Sequence, residues 1–280
     1  MKISADVLRL DKIHRDISGN KWFKLKYHLE EAMRLGKKGI VTFGGAYSNH
    51  LVATAVAAHE HRLLSTGIIR GEQTSPENES IKHMRAAGMQ IVYVTREEYH
   101  HKDEIAARYL AEHTDFYYVP EGGRSAEGVK GAEEILSRAG NDNYTHIICP
   151  VGTGATLAGL INASAPHQQV IGISALKVAN QNDNELAGFL HSNTLKNNWS
   201  INYGYHFGGY AKRTNELIEF MNALYLEEKI PTDFVYTGKM FFAVYDLVAR
   251  NYFKPGSKLL IIHTGGLQGN KSLPEGTLVF

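Results

Sequence analysis

Residues 40–59 read IVTFGGAYSNHLVATAVAAH. Ile40 to Phe43 is a β-branched and aromatic run that stops at Gly44-Gly45, and the alanine-rich stretch from Leu51 to His59 suits a buried helix. Strand, glycine turn and helix in one short stretch make up most of a βαβ unit. The same alternation continues on both sides. Leu64–Ile69 reads as strand, Ile81–Ala87 as helix, Gln90–Val94 as strand, Glu97–Glu112 as helix and Phe116–Val119 as strand. His146–Cys149, Val170–Ile173 and Leu259–Ile262 are further strand-like runs with helical stretches between them. Alternating βα units imply parallel sheets covered by helices. Gly122-Gly123-Arg124-Ser125 and Gly140-Asn141-Asp142-Asn143 are the turn-rich breaks. The expected architecture is α/β: two open parallel-sheet domains with a cleft between them. Residues 36–124 form the smaller one, and 1–35 with 125–280 the larger. In such sheets ligands bind beyond the carboxyl ends of the strands.

Composition narrows the function. The chain has 280 residues, 43% hydrophobic and 21% charged, which suits a folded globular protein with a sizeable core. No apolar run approaches the roughly 20 residues needed to span a bilayer. Thirty Lys and Arg against 29 Asp and Glu leave a net charge of +1, so no global field recruits nucleic acid or an anionic membrane. The single cysteine, Cys149, rules out an internal disulfide framework and a multi-thiolate metal site. The N-terminus MKISADVLRL lacks the apolar core of a signal peptide. A cytoplasmic protein without nucleic-acid or membrane partners is expected. His100-His101 and His59-x-His61 lack the carboxylate or cysteine spacing of a metal site and read as surface histidines, so no metal is expected.

Three segments carry chemistry. Cys149-Pro150-Val151-Gly152-Thr153-Gly154-Ala155-Thr156 follows a strand and precedes a helix. Its glycines let the backbone approach an anion, which the unpaired N–H groups of the helix start would bind. No Gly-Lys-Ser/Thr pairing follows, so a monophosphate ester fits better than a triphosphate. A plain strand–helix turn explains the same residues. In the second segment, Gly44 to His50, Ser48 or Asn49 can cap the next helix. Ser, Asn and His together are more than a cap requires. The third is Ser18-Gly19-Asn20-Lys21, a helix start, after which Trp22, Leu25, Leu29, Ala32 and Met33 form an apolar stripe. Lys21 sits at the end of the helix dipole that disfavours a cation, which lowers its pKa and suits a nucleophilic amine; a solvated surface lysine is the plain reading. A phosphate loop plus an activatable lysine suggests pyridoxal 5'-phosphate, held by Schiff base and phosphate.

Together these segments resemble the 1-aminocyclopropane-1-carboxylate deaminase/D-cysteine desulfhydrase family of fold-type II pyridoxal phosphate enzymes, whose fold is tryptophan synthase β-like. The matching motifs are Gly19-Asn20-Lys21-x-x-Lys24-Leu25, Gly44-Gly45-x-x-Ser48-Asn49-His50, Pro120-Glu121-Gly122-Gly123, Gly152-Thr153-Gly154-Ala155-Thr156, Asp233-x-Val235-Tyr236-Thr237-Gly238-Lys239 and His263-Thr264-Gly265-Gly266. They run in family order over most of the chain.

The resemblance implies roles. Lys21 would hold the cofactor aldehyde and move the Cα proton, and Asn49 would bond the phenolic oxygen. Gly152, Thr153, Gly154, Ala155 and Thr156 would hold the phosphate, with Thr264 among the cofactor contacts. Ser48, Asn49 and His50 would face the substrate carboxylate. Tyr236 would lie near the reacting carbon, Tyr210 would be a second active-site tyrosine, and Lys24 would stand behind the first layer. Members that open the cyclopropane ring carry Glu after the motif tyrosine, facing the pyridine nitrogen; Thr237 takes that place here, as in desulfhydrase-like members. A neutral hydroxyl leaves a weaker electron sink, which suffices for α-proton removal with prompt loss of a good leaving group. The stretch Gly71-Glu72-Gln73-Thr74 lacks a tryptophan associated with deaminases. The expected activity is α,β-elimination from a small amino acid such as D-cysteine, giving pyruvate, ammonia and sulfide, by a homodimer. Ring-opening deamination is one alternative. Cofactor binding or amino-acid sensing without turnover is another.

Overall fold

The structure, a computed structural model, describes residues 2–73, 75–140, 143–177, 186–191 and 197–280. Thr74 and, in the second turn-rich break, Asn141 and Asp142 lie outside the described residues.

Two parallel sheets organise the chain. The first contains β1 (Ser4–Arg9), β6 (His146–Val151), β7 (Gln169–Ser174), β8 (Trp199–Asn202) and β9 (Lys258–His263), in the spatial order β1-β9-β6-β7-β8. The second contains β2 (Gly39–Gly45), β3 (Leu64–Arg70), β4 (Met89–Val94) and β5 (Phe116–Val119), ordered β4-β3-β2-β5. Every strand of the second sheet falls between Gly39 and Val119, and every strand of the first lies outside that span. β2 is buried along all but its last residue, as expected for a strand covered on both faces. Helix α2 (Asn49–Glu60) explains its own alanines: Ala53, Ala55, Ala57 and Ala58 are buried against the sheet, where larger side chains would hold the helix off. The other helices that bear on the site are α1 (Asn20–Arg34), α3 (Glu79–Ala86), α4 (Lys102–Glu112), α5 (Ala126–Glu133), α6 (Ala155–Ala163), α7 (Asn215–Glu228) and α8 (Thr237–Ala249).

Helix α1 joins the two halves. Phe23 packs in the core under the first sheet, while Leu25 and Leu29 enter the core of the second. Its buried face is Phe23, Lys24, Leu25, His28, Leu29 and Ala32. The apolar stripe expected from Trp22 to Met33 is therefore only partly inside: Trp22 and Met33 are 37% and 44% exposed, and Lys24 and His28 replace them in the interior. A helix clasped on two sides buries more than one stripe, and periodicity does not reveal this. The helix begins at Gly19, whose φ is +69°; a Cβ there would lie 1.7 Å from the Thr264 carbonyl oxygen. Only glycine lets the first turn of α1 meet the loop after β9.

Two expected elements differ. Helix α4 starts at Lys102, not Glu97, because Thr95 Oγ1 accepts from the Glu98 N–H while Glu98 Oε2 accepts from the Thr95 N–H, closing a separate 3-10 turn over Glu98–His101. Strand β8, an edge strand of four residues, gave no sequence signal strong enough to mark it. Among the described residues no helix is long and apolar enough to cross a membrane, and no group of three or more His, Cys, Asp or Glu gathers as a metal site. His101 faces Glu104 at 3.3 Å, His61 bonds the Ala57 carbonyl, and Cys149 is buried with its thiol pushed up to about 12.

Candidate active site

A cleft of about 460 Å³ opens at the carboxyl ends of both sheets. The first turn of α1, the β2–α2 loop, the end of β3, the β6–α6 loop and the segments around Tyr210, Tyr236 and Thr264 all reach it. It gathers Lys21, Ser48, Asn49, His50, Gly152, Thr153, Gly154, Thr156, Tyr210, Tyr236 and Thr264. Ala155 and Thr237 are not on its wall; both are fully buried one layer behind it.

Lys21 projects from the first turn of α1. Its Nζ donates to Asn20 Oδ1 at 3.1 Å, and Asn20 Nδ2 donates to Thr156 Oγ1 at 2.8 Å, so the lysine is tied to the start of α6. Burial pulls its pKa down to about 8 against the opposing charge of Asp233. The helix dipole invoked from the sequence is thus secondary to desolvation. At pH 7 about one such amine in ten is neutral, against a few in ten thousand for an ordinary lysine. Condensation of the apoprotein with pyridoxal phosphate, followed by growth of the visible band, should quicken several-fold between pH 7 and about 8.5, then level off. A rate that kept rising tenfold per pH unit to pH 10 would mark an ordinary lysine.

The β2–α2 loop divides its groups between structure and site. Ser48 caps α2, its Oγ accepting from the Leu51 N–H at 3.3 Å, and its hydroxyl proton stays available to a ligand. Asn49 Nδ2 donates to the Gly266 carbonyl and Asn49 Oδ1 accepts from the Gln268 N–H, which stitches α2 to the loop after β9 and leaves one amide N–H. His50 turns inward. Thr42 Oγ1 donates to the Val119 carbonyl at 2.7 Å, so it must accept from His50 Nε2 at 2.8 Å. The imidazole is therefore neutral with a bare Nδ1, and burial with Lys21 and Lys24 nearby keeps its pKa well below normal.

Opposite, Asp233 organises the start of α8. Its wholly buried carboxylate accepts from the N–H groups of Val235, Tyr236 and Thr237 at 2.9, 3.0 and 2.9 Å, and from Thr237 Oγ1 at 2.7 Å. Thr237 Oγ1 in turn accepts the Asp233 N–H at 2.8 Å. Its hydroxyl is thus committed to Asp233. Tyr236 and Tyr210 pair edge-on with ring centroids 6.0 Å apart; Tyr210 keeps 48% of its surface exposed, and desolvation raises both phenols, Tyr236 well above its ordinary value, leaving them proton donors near neutrality. Lys239 was quoted in a motif without a role. Its buried Nζ donates to the carbonyls of His206 and Gly209 at 2.9 and 2.8 Å, pinning the loop that carries Tyr210. Lys24 has its whole side chain buried, with its amine at the cleft and its pKa well below normal through burial and the nearby Lys21 and Arg124.

A family model for "Pyridoxal-phosphate dependent enzyme" matches residues 7–265. The chain belongs to this family. Within the family it falls in the deaminase/desulfhydrase group. It is 30% identical to a "Putative 1-aminocyclopropane-1-carboxylate deaminase" of Pyrococcus furiosus, over 99% of this chain and 90% of that one. It is 27% identical to the "Bifunctional D-cysteine desulfhydrase/1-aminocyclopropane-1-carboxylate deaminase, mitochondrial" of Arabidopsis thaliana, over 94% of this chain and 72% of that one. A solved "ACC deaminase homologue" superposes with a TM-score of 0.82 at 26% identity, covering 95% of this chain and 85% of that one.

The cleft of this pyridoxal-phosphate family member fits the cofactor. The wall at Gly152 is open only because glycine stands there: a Cβ would lie 2.8 Å from Tyr236 Cε1. The turn ends at Gly154 with φ +85°, so that the N–H groups at the start of α6 face the cleft beside Thr153 and Thr156. That cradle, and a lysine with a lowered pKa in the same cleft, match a phosphate and an aldehyde on one small molecule.

Proposed function

We propose that the protein is a lyase that eliminates the β-substituent of a small D-amino acid, with D-cysteine giving pyruvate, ammonia and sulfide. The observation that carries this reading is Thr237, a neutral hydroxyl already committed to Asp233, at the position where ring-opening members of the resembled family carry glutamate. Pyridoxal phosphate, when bound, supplies an electron-withdrawing ring that shares the charge left at Cα when its proton departs.

The rest falls to side chains. The Gly152–Thr156 loop and the start of α6, with Lys24 beside them, hold the phosphate. The N-terminus of α2, with the Ser48 hydroxyl and the remaining Asn49 N–H, holds the substrate carboxylate. Lys21, poised near neutrality, takes the Cα proton at Nζ. The electron pair forms the Cα–Cβ double bond as the Cβ–S bond breaks, and the sulfur leaves with its own pair. The Tyr210–Tyr236 pair offers a phenol proton to it. Water then converts the released 2-aminoacrylate to pyruvate and ammonium. In this reading 36–124 is the lobe that carries substrate recognition, and the enzyme is cytoplasmic, as its composition suggests, and a homodimer, as the family resemblance implies.

The test is to give the reconstituted protein D-cysteine and 1-aminocyclopropane-1-carboxylate separately. Equimolar pyruvate and sulfide from D-cysteine, with kcat/KM at least about a hundredfold above the cyclopropane substrate, is expected. 2-Oxobutyrate formed faster than pyruvate would replace this reading with the deaminase. A saturable cofactor band with no product from either would leave a binding protein.

A further inference from the structure

The charges of the cleft are unbalanced. Among the described residues its wall carries the cations Lys21, Lys24, Arg70 and Arg124 and one carboxylate, Glu121. Glu121 is bonded to Lys102 Nζ at 2.7 Å, so its charge is already answered. Lys21 is taken by the cofactor aldehyde. Arg124 acts on Lys24, whose stem lies against Gly123, and Gly122, next to it, stands against Thr153 of the β6–α6 loop. Arg70 enters the wall from the second sheet. It ends β3, in register with Gly45 of β2 and Val94 of β4, immediately beside the loop that carries Ser48 and Asn49. Its side chain is exposed, and its Cζ is 5.6 Å from the centroid of the Tyr99 ring. No carboxylate among the described residues pairs with it. Its charge reaches the Tyr210 hydroxyl, as does that of the Lys102-bonded Glu121, on the side of the cleft where the Tyr210–Tyr236 pair faces a leaving group.

The substrate's own carboxylate is served by the start of α2. An arginine left over at the substrate end, held on a strand rather than a mobile loop, answers a second negative group. The geometry points to a β-substituted alanine whose substituent is an oxyanion, a phosphate ester or a sulfonate, gripped by the Arg70 guanidinium. The planar fork of arginine suits two oxygens of such a group. This inference rests on the elimination reading and extends it to a leaving group that departs as phosphate or sulfite. The balance is the same: the Cα proton goes to Lys21, the Cβ–O or Cβ–S bond breaks with its pair on the departing oxyanion, and water hydrolyses the 2-aminoacrylate. No oxidant or reductant is needed.

The experiment measures binding as well as turnover. Holoprotein is titrated by calorimetry with both enantiomers of O-phosphoserine, cysteate and serine, as wild type, Arg70→Met and Arg70→Lys. With the cofactor in place, its phosphate site is closed to these anions. Expected is at least one enantiomer of an oxyanion compound binding about tenfold or more tighter than serine. Arg70→Met should erase that advantage without changing the serine Kd, and Arg70→Lys should restore part of it. Phosphate-bearing and sulfonate-bearing ligands, run side by side, show which oxyanion is meant. Oxyanion ligands binding no tighter than serine, or Arg70→Met weakening serine equally, overturns the inference. Pyruvate from β-chloroalanine, whose leaving group needs no Arg70, separately reports the elimination machinery. If it yields none, the elimination reading falls while the Kd comparison still decides the site. Arg70 has no ion pair among the described residues to lose, and an unchanged cofactor absorbance confirms that each variant is folded.

Discussion

Replacing Lys21 by alanine abolishes the visible cofactor band and lowers pyruvate formation by at least about a thousandfold, as expected when one residue serves as both nucleophile and base. Two amines of lowered pKa reach this cleft, so the identity of the working one is a real question. Both are shifted first by burial, but the charge of Asp233 keeps Lys21 near 8, whereas the cations Lys21 and Arg124 push Lys24 further down. Lys21 also has an orienting partner in Asn20, which is anchored to Thr156 at the start of α6. No hydrogen bond is recorded for the Lys24 amine among the described residues, and its stem is enclosed beside Gly123 and Gly128. Absorbance and a pyruvate assay on Lys21→Ala decide it. A Lys21→Ala protein that kept its band would move the aldehyde to Lys24, and one that kept its turnover would sink the assignment of Lys21 altogether.

Asp233→Ala should produce the largest loss of stability at the site. The carboxylate has no solvent exposure and accepts four hydrogen bonds, three of them from successive backbone N–H groups that begin α8. Alanine leaves those donors buried with no acceptor, at a cost of about 3–5 kcal/mol. For a chain of this size that lowers the thermal midpoint by roughly 6–10 °C. Tyr236, Thr237 and Lys239 all depend on this turn, so activity should fall by more than the loss of folded protein explains. Asp233→Asn keeps one acceptor oxygen and should lose less on both counts. A thermal melt of Asp233→Ala within one or two degrees of the wild type would show that the turn holds without its carboxylate.

Much of the site was legible because its chemistry lies in short motifs at strand–helix junctions, where sequence neighbours are also spatial neighbours. Gly152 to Thr156, Ser48 to His50 and Gly19 to Lys21 each fall on the cleft or directly behind it because each is one turn of chain between two regular elements. Lys239, Thr237 and Asp233 were visible as motif letters, but what they bond was not. The Thr237 hydroxyl is bonded to Asp233, and the Lys239 amine reaches His206 and Gly209, some 30 residues away in the chain. Arg70 carried a weaker signal: it is the residue at which an apolar strand run ends, the position from which parallel sheets present side chains to ligands. Lys24 was placed inside only by the family resemblance, and His28 not at all, for another reason. Polar residues on a helix read as solvent-facing unless the helix is covered on a second side, and α1 is.

From the sequence alone came the alternation of strands and helices, the parallel sheets, the glycine loop before α6 and the lysine at the start of α1, since each depends on local propensity and on the period of apolar residues. Tertiary structure alone decided which charges face the cleft and which are already answered. It sent the His50 imidazole toward Thr42, brought Lys239 to the carbonyls of His206 and Gly209, paired Glu121 with Lys102 and left Arg70 without an ion-pair partner among the described residues. The physical reason is that pKa and hydrogen-bond partnership depend on burial and on atoms brought together from distant parts of the chain, and a linear pattern records neither.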